Sequence, residues 1–427
     1  MSTVKGWDCQ KLSAQLALIR NGFSGQQVAQ ITDYPVSRIE TISDGMIDMD
    51  KVGYVASIPD SYILKAGDIL FSNINSLKHI GKVAQVNEGT ELFHGMNLLI
   101  LRPVDEVDKK FLFYKLISKK PWFEKMAVQA INQASINQET LNELLLELPL
   151  NKPEQTKIAE VLSTVDQAIE QTEALIAKQQ RIKTGLMQDL LTCGIDEHGN
   201  LRSEQTHEFK DSPLGRIPVE WEIKRLSELV DEGITYGIVQ AGPNIENGVP
   251  YIRTGDMSGE TINAAQLLKT SERIAKSYKR SAVFSGDIVF ALRATVGKVL
   301  PVSKELEGSN LTQGTAKISP KKSIESTFLL WALQTAVVQD QIRLHQKGTT
   351  FMEITLADLR SIEVALPIMQ DEQSTISENL TKHDDLRLQY IQNRQKLHSL
   401  KTALMQDLLT GKKRVTPLLK DTEVASL

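Results

Sequence analysis

The sequence predicts an α+β protein with two pseudo-repeated α/β domains separated by two long antiparallel coiled-coil helices. Three observations predict this fold. The second half of the 427-residue chain repeats the first half. The best-matched part of each half carries apolar residues at helical spacing and almost no glycine or proline. The diverged remainder of each half mixes short strand and helix signals.

The repeat is clearest near the end of each half. Residues 186–192 and 404–410 are both Leu-Met-Gln-Asp-Leu-Leu-Thr, at an offset of 218. Between 141–192 and 359–410, 20 of 52 positions are identical, where ordinary composition gives roughly three. A solenoid unit has only ~20–50 residues. The chain is therefore a duplicated domain pair, which we expect to have internal pseudo-two-fold symmetry and two similar partner surfaces.

Fainter matches extend the repeat toward the start of each half. Trp7 matches Trp221, Gly67-Asp68-Ile69 matches Gly286-Asp287-Ile288, and Gly81-Lys82-Val83 matches Gly297-Lys298-Val299. The offset drifts between 214 and 219, as loop insertions would produce. Short buried strands are expected at Ile69–Ser72, Ile288–Leu292 and Leu98–Leu101. Helices are expected at 109–119 and 326–337.

Residues 153–192 and 371–410 each predict one long helix, roughly 60 Å long at 1.5 Å per residue. Polar residues, among them Thr172, Gln179 and Lys183 in the first helix and His383 and Arg387 in the second, interrupt the apolar seam. An apolar stripe more often packs into a globular core, but the length and repetition favour a paired rod. The expected helix-pair interface consists of Ile158, Leu162, Val165, Ile169, Ile176, Leu186, Leu190, Ile376, Leu380, Leu397, Leu404 and Leu408.

These patterns divide the chain into six segments. The two α/β domains are 1–150 and 213–368, and the long helices occupy 151–194 and 369–412. Residues 195–212 are polar and are expected to form a linker, and 413–427 form a tail.

Composition bounds the class of protein. Hydrophobic residues are 41% and charged residues 24%, which is ordinary for a globular protein. The two distant cysteines give no disulfide framework or zinc pattern. No signal peptide or membrane span is expected, so the expected location is cytoplasmic, with no membrane partner. The net charge of −4 weakly disfavours a strongly basic nucleic-acid binder, although a local patch matters more than the sum.

Motifs for catalysis are missing from the sequence. Adenine methylation calls for an Asn- or Asp-Pro-Pro-aromatic loop, but no Asn-Pro, Asp-Pro or Pro-Pro pair occurs. None of the Gly-Lys pairs is followed by Ser or Thr, as a phosphate-binding loop requires. No nuclease carboxylate cluster and no Ser-His-Asp or Cys-His arrangement stands out. We therefore expect no catalytic residue, no metal and no cofactor in this chain.

Several motifs recur in a fixed order along both halves. Leu148-Pro149-Leu150 precedes Glu154-Gln155, as Leu366-Pro367-Ile368 precedes Glu372-Gln373. The second half adds Lys210-Asp211-Ser212-Pro213-Leu214-Gly215 before Glu220-Trp221-Glu222, and then Gly286-Asp287-Ile288-Val289-Phe290 with Arg293. This order resembles the specificity subunits of type I restriction–modification enzymes over nearly the whole chain. The first half has Ile74 where the second has Arg293.

The resemblance implies that 1–150 and 213–368 are target-recognition domains. Each would read one half of a split double-stranded DNA site, and the helices would set the spacer. Two modification subunits, carrying S-adenosylmethionine and the adenine-methylating chemistry, would dock on the chain. Separate restriction and translocase subunits would use ATP and Mg²⁺ for translocation and cleavage.

Base reading needs polar side chains at base edges and cations on phosphates. Each candidate has an ordinary structural role as its alternative: a loop residue, or a solvated helix face for the basic residues of 269–280. In the first domain the candidates are Asn73, Asn75, Ser76, Lys78, His79, Asn132, Gln133, Ser135 and Asn137. In the second domain they are Lys269, Arg273, Lys276, Arg280, Arg293, Thr295, Lys347, Thr349 and Thr350.

Two alternatives remain open at this point. The chain could be the specificity subunit of a type II-like system, which neighbouring genes would reveal. It could also be a coiled-coil protein-interaction adaptor, against which salt-dependent binding to random duplex DNA would argue.

Overall fold

The computed structural model describes residues 4–43, 45–130, 133–348 and 352–419. These residues form two compact units. Unit 1 contains the described residues up to Gln171 and those from Asn393 on, and unit 2 is Thr172–Gln392. The helices of the described residues are α1 Lys109–Ser118, α2 Lys120–Met126, α3 Gln138–Asn142, α4 Lys152–Leu190, α5 Glu272–Ser277, α6 Ser326–Ala332, α7 Ala336–His345, α8 Leu356–Ser361 and α9 Gln370–Leu408.

Unit 1 is organised around a four-stranded antiparallel sheet. Its strands, in spatial order, are Val83–Gln85, Ile69–Phe71, Leu99–Pro103 and Leu16–Asn21. Trp7–Lys11 pairs with Leu145–Pro149, and a three-stranded sheet has the order Val128–Ala130, Gln133–Ser135 and Ile74–Asn75. Smaller sheets are Gln27–Val28, Gly53–Val55 and Pro35–Val36, and Ile42–Ser43 with Met46–Ile47.

Unit 2 repeats this plan with different peripheral strands. Its four-stranded sheet has the order Thr235–Tyr236, Thr315–Ile318, Ile288–Ala291 and Val299–Pro301. Trp221–Arg225 pairs with Glu363–Pro367, and Phe209–Lys210 pairs with Ile217–Pro218. A three-stranded sheet of Leu268–Thr270, Val249–Ile252 and Asn310–Leu311 contains a parallel pair. The α+β class is confirmed, and the predicted central strands lie within a residue or two of their expected bounds.

The repeat extends to strand register. Trp7 is opposite Pro149 in unit 1, and Trp221 is opposite Pro367 in unit 2. The Gly-Asp turn before the central strand is also shared, because its glycine has a positive φ in both units, 89° at Gly67 and 94° at Gly286. The carboxylate of the following aspartate closes the turn by accepting the backbone N–H of the residue three positions earlier.

A charged joint fixes the beginning of each long helix. In unit 1, Arg414 Nε donates to Glu154 Oε1 of α4 at 2.6 Å. In unit 2, Arg202 pairs with Glu372 of α9, with Nη2 3.1 Å from Oε2. Each arginine follows the end of the other long helix, so in each unit the beginning of one helix lies beside the end of the other. This is the antiparallel pairing that the sequence predicts.

A second ion pair, the helix clasp, joins the two long helices within each unit. Lys183 Nζ lies 2.9 Å from Asp384 Oδ1 in unit 2 and 4.5 Å from the ring centre of Trp331. In unit 1, Lys401 Nζ lies 2.6 Å from Asp166 Oδ1, whose other oxygen accepts the Tyr114 hydroxyl at 2.7 Å. Both clasps use residues that the repeat shares, Asp166 with Asp384 and Lys183 with Lys401.

The seam residues do more than join two helices. Ile158, Leu162 and Leu408 belong to the buried core of unit 1, and Leu190, Ile376 and Leu380 to that of unit 2. Val165 and Ile169 are also buried, whereas the remaining members are only partly buried; these are Ile176, Leu186, Leu397 and Leu404. The ends of the long helices are therefore core elements of the units as well as paired helices.

Four of the polar residues that interrupt the seam are buried rather than solvated, whereas His383 is partly buried. Thr172, Gln179, Lys183 and Arg387 are all less than one-tenth exposed. Arg387 pairs with Asp384 and, through Nη2 at 2.6 Å, with Glu260 of the α/β part of unit 2. A prediction from the hydrophobic pattern alone treats such residues as interruptions of the seam, because the pattern contains no information about the partner that compensates each buried charge.

The segment 195–212, expected to be a polar linker, packs onto unit 2. Ile195 is buried in the core of that unit, and Arg202 forms the charged joint. Phe209–Lys210 is a short strand. This packing is not visible in the sequence, because a few anchoring residues are spread among many polar ones.

Candidate nucleic-acid interface

In unit 2 the candidate site begins where the central strand Ile288–Ala291 ends. Leu292 is buried, whereas Arg293, Ala294 and Thr295 are exposed on a loop. Ala294 has a φ of 61°, a left-handed conformation that costs an L-residue other than glycine roughly 1–2 kcal/mol. The loop thus presents Arg293 on a strained but well-defined backbone.

A second segment of unit 2 lies against this loop. Lys347 and Glu353 exchange backbone hydrogen bonds of 2.9 and 3.0 Å, and Ile354 N–H donates to the carbonyl of Leu292 at 3.1 Å. Arg293 Nε donates to Glu353 Oε2 at 2.9 Å. The structure therefore brings Arg293 and Lys347 to one surface. Thr349 and Thr350, the other candidates here, lie outside the described residues.

In unit 1 two separate candidate clusters become one surface. The strand Gln133–Ser135 pairs with Ile74–Asn75, with Ala134 opposite Asn75 and Ser135 opposite Ile74. Ile136 N–H donates to the carbonyl of Asn73 at 2.9 Å. Asn132 lies outside the described residues.

The polar groups of this unit 1 surface are not equally available. Asn75 Nδ2 donates to Ser72 at 3.1 Å and its Oδ1 accepts from the backbone of Ser76. Asn137 Oδ1 caps α3 by accepting from Thr140 N–H at 2.7 Å. Asn73 is buried, and its Oδ1 has no partner among the described residues. Gln133 is exposed and, in the described part of the chain, its side chain makes no hydrogen bond, so it is the most available group for a base edge.

The two surfaces are built in the same way. Ile74 lies six residues after Asp68, as Arg293 lies six after Asp287, and Ser135 lies six residues before Leu141, as Glu353 lies six before Leu359. Ile74 is paired with Ser135, and Arg293 with Glu353. The repeat thus supplies one scaffold whose facing pair of side chains differs between the units. Sequence alone could not reveal this, because the paired segments are some sixty residues apart.

Cations cluster beside the unit 1 surface. Burial, followed by the charges of Lys82, Lys78 and Lys120, lowers the pKa of His79, which keeps the imidazole neutral at pH 7. Lys120, at the start of α2, donates through Nζ to the carbonyl of Lys78 at 2.8 Å. Sequence reasoning found Lys78 and His79 but missed Lys120, because α2 reaches this site only through the fold. It noted Lys82 only as part of the repeated Gly-Lys-Val motif.

The basic residues of unit 2 are less regular than their spacing suggested. Their spacing in sequence places most of them on one face if 271–281 is helical, but the helix ends at Ser277, and Lys279–Ser281 is a separate 3-10 turn. Only Arg273 and Lys276 therefore lie on α5. Lys269 is on the strand Leu268–Thr270, with Nζ 2.8 Å from the carbonyl of Glu246. The four candidates therefore do not share one helical face, because the backbone leaves the α conformation at Tyr278, before Arg280.

Among the described residues, no group of three or more His, Cys, Asp or Glu side chains is arranged to hold a metal ion. No helix in the described ranges is long and apolar enough to cross a membrane.

Comparison with known proteins gives one consistent result. Residues 19–179 and 218–399 match the family described as Type I restriction modification DNA specificity domain. A Methanocaldococcus jannaschii protein, provisionally described as the type I restriction enzyme MjaX specificity subunit, is 35% identical over 424 residues, which cover 96% of this chain and 94% of the relative.

Solved structures agree on the fold. The S subunit of a type I restriction–modification system from M. genitalium has a TM-score of 0.63 at 19% identity, covering 94% of this chain and 96% of that one. A chain from a structure concerning complex assembly and conformational transition of the type I R-M system has a TM-score of 0.53 at 17% identity, covering 96% and 99%.

Proposed function

The chain belongs to the family of type I restriction–modification DNA specificity subunits, and from that membership we propose that units 1 and 2 each read one half of a bipartite duplex site. Its role is DNA sequence recognition, and the chemistry belongs to other subunits of the complex. Family membership disfavours both the adaptor and the type II-like alternative.

One observation carries the two-reader proposal. Each unit pairs the loop after its central strand with the segment before its last strand, and each displays a different facing pair there, Ile74 with Ser135 and Arg293 with Glu353. A shared scaffold with different displayed side chains is what two readers of different sequences require, because specificity lies in groups that meet base edges. Nearby cations, such as Lys78 and Lys120, would bind phosphates and fix the register.

The repeated surfaces also suit a repeated partner. Two similar units present similar faces, so two copies of a modification subunit could dock equivalently. On this proposal the modification subunits hold S-adenosylmethionine and methylate adenine. Restriction and translocase subunits use ATP and Mg²⁺, and the complex acts on DNA in the cytoplasm. The long helices, each of which begins in one unit and ends in the other, would set the spacer between half-sites.

A domain exchange tests the two-reader proposal. Residues 213–368 are replaced by the corresponding domain of a relative, and the chain is co-expressed with its modification partner. Long-read methylation mapping should show a change in one half of the methylated site only. The reciprocal exchange of 1–150 should change the other half. If both halves change, or neither does, the units are not independent readers.

A further inference from the structure

The Arg293–Glu353 pair leaves most of the guanidinium available. Glu353 Oε2 accepts from Nε at 2.9 Å, and Nη1 and Nη2 have no partner among the described residues. With Nε engaged by Glu353, the edge formed by Nη1 and Nη2 can still donate two parallel hydrogen bonds to a pair of acceptors. A carboxylate at Nε therefore orients the side chain without occupying the edge formed by Nη1 and Nη2.

Backbone geometry builds this contact. Arg293 and Glu353 are directly opposite in an antiparallel bridge, and flanking hydrogen bonds from Glu353 to Lys347 and from Ile354 to Leu292 hold both segments. The side chains are 50% and 48% exposed, so the ion pair adds little to folding stability. Folding stability therefore does not explain why this ion pair lies on the loop.

A carboxylate on a surface that meets DNA weakens binding to every sequence, because it repels phosphates. The carboxylate also offsets the charge of Arg293, and this weakens the attraction of the guanidinium for a phosphate. The ability of Nη1 and Nη2 to donate two directed hydrogen bonds is affected less. Guanine presents two acceptors, O6 and N7, at the spacing that arginine matches. The pair therefore favours a guanine edge over the backbone.

We propose that Glu353 is a positioning residue for specificity: it holds Arg293 for a guanine in the half-site read by unit 2, and it disfavours nonspecific phosphate contact. This inference rests on the proposed function. Unit 1 has Ile74 and Ser135 at the matching positions, so the effect is confined to one half-site.

The test uses the chain in complex with its modification subunits. Methylation mapping of the wild-type complex supplies the cognate duplex. Binding to cognate and random duplexes is then titrated over a series of salt concentrations for wild type, Glu353→Gln and Arg293→Ala. Glu353→Gln keeps an amide oxygen facing Nε but removes the charge. Glu222→Gln is the matched control, because Glu222 also forms an exposed ion pair in unit 2, 2.7 Å from Lys224.

Glu353→Gln should bind random duplex about two- to fivefold more tightly, the order expected for one surface charge near phosphates. Its ratio of cognate to random affinity should fall by about tenfold, the size of one base contact. Arg293→Ala should lower cognate affinity without lowering the salt dependence. Methylation maps of both variants should relax at one guanine of one half-site, and Glu222→Gln should behave as wild type.

The proposal is overturned if Glu353→Gln keeps the wild-type affinity ratio, or if Arg293→Ala weakens random and cognate binding equally and lowers the salt slope. The first result would show that Glu353 does not position Arg293, and the second would assign Arg293 to a phosphate. A wild-type complex without any sequence preference would instead contradict the proposed function. The two failures are thus distinguishable.

Discussion

The charged joints of the two units share an ion pair but differ in its surroundings. In unit 1, Glu154 is 1% exposed while its partner Arg414 is 28% exposed. In unit 2, Arg202 and Glu372 are both below one-tenth exposed, and Glu372 also accepts from Trp221 Nε1 at 3.1 Å. The matching nitrogen of Trp7 has no partner among the described residues.

In unit 1 a cation lies near the indole ring instead. Lys115 Nζ lies 5.6 Å from the ring centre of Trp7 and donates to the carbonyl of Leu409 at 2.5 Å, whereas the repeat has Ala332 at the position of Lys115 in unit 2. The units therefore share the buried charge pair but not its neighbours. The shared residues are those whose loss would leave a buried charge unpaired, and the displayed residues are free to differ.

Lengthening both long helices should change the recognised site most. Four residues added after Ala174 and after the matching Gln392 lengthen each helix by ~6 Å, or one to two base pairs at ~3.4 Å each. Methylation mapping should show both half-sites unchanged and the spacer one or two base pairs longer. A one-residue insertion in each helix serves as the control, since it rotates the seam by ~100° and should abolish activity. Full activity at the old spacing would rule out the helices as the determinant of the spacer.

The next largest effect concerns the joints. Arg202→Ala leaves Glu372 buried with fewer donors and should destabilise unit 2 by about 3–5 kcal/mol. Arg414→Ala removes a more exposed partner and should cost unit 1 about 2 kcal/mol. Native-state hydrogen exchange in α6 and α1 measures the two units separately. Lys224→Ala, which breaks an exposed pair, should change neither by more than about 1 kcal/mol. Equal losses in both units would contradict the difference in burial.

The sequence predicted the repeated fold well because its signals are local or duplicated. The helices follow from an apolar period, and the Gly-Asp turns from a glycine that needs a positive φ at Gly67 and Gly286. The site was less predictable. The pairing of Arg293 with Glu353 joins distant segments, and no local pattern encodes it. The basic spacing of 269–280 suggested one helix, but the helix ends at Ser277.

Lys115 should give unit 1 a pH dependence that unit 2 lacks. Burial lowers the pKa of Lys115 to about 8 from an ordinary value of 10.5. Between these values the unfolded chain keeps a proton that the folded chain has lost, so stability rises with pH. The free energy of unfolding of wild type should therefore rise relative to that of Lys115→Ala by up to about 3 kcal/mol from pH 8 to 10.5. Urea unfolding of both proteins across this range measures it, with the exposed Lys125→Ala as the control. A difference that stays flat, or falls, would mean that Lys115 is charged and well solvated in the folded state.

The smallest effect contrasts two matching backbone positions. Ala294 is left-handed in unit 2, whereas the matching Asn75 lies in an extended strand of unit 1. Glycine adopts a positive φ without steric cost, so Ala294→Gly should stabilise unit 2 by up to about 1 kcal/mol. Asn75→Gly should instead destabilise unit 1 by about 1–2 kcal/mol, because it removes the hydrogen bonds of Asn75 with Ser72 and Ser76 and because glycine loses more conformational freedom when a strand forms.

Hydrogen exchange in each unit measures the sign of the stability change for each substitution. If both substitutions destabilise, the left-handed backbone at Ala294 carries no steric cost. The two loops would then differ only in the side chains that they display. If the signs are opposite, unit 2 tolerates a strained backbone at the residue after Arg293. Relieving that strain in Ala294→Gly should also loosen the guanidinium and lower the affinity ratio for cognate over random duplex. That loss would tie the backbone difference between the units to the difference in what they read.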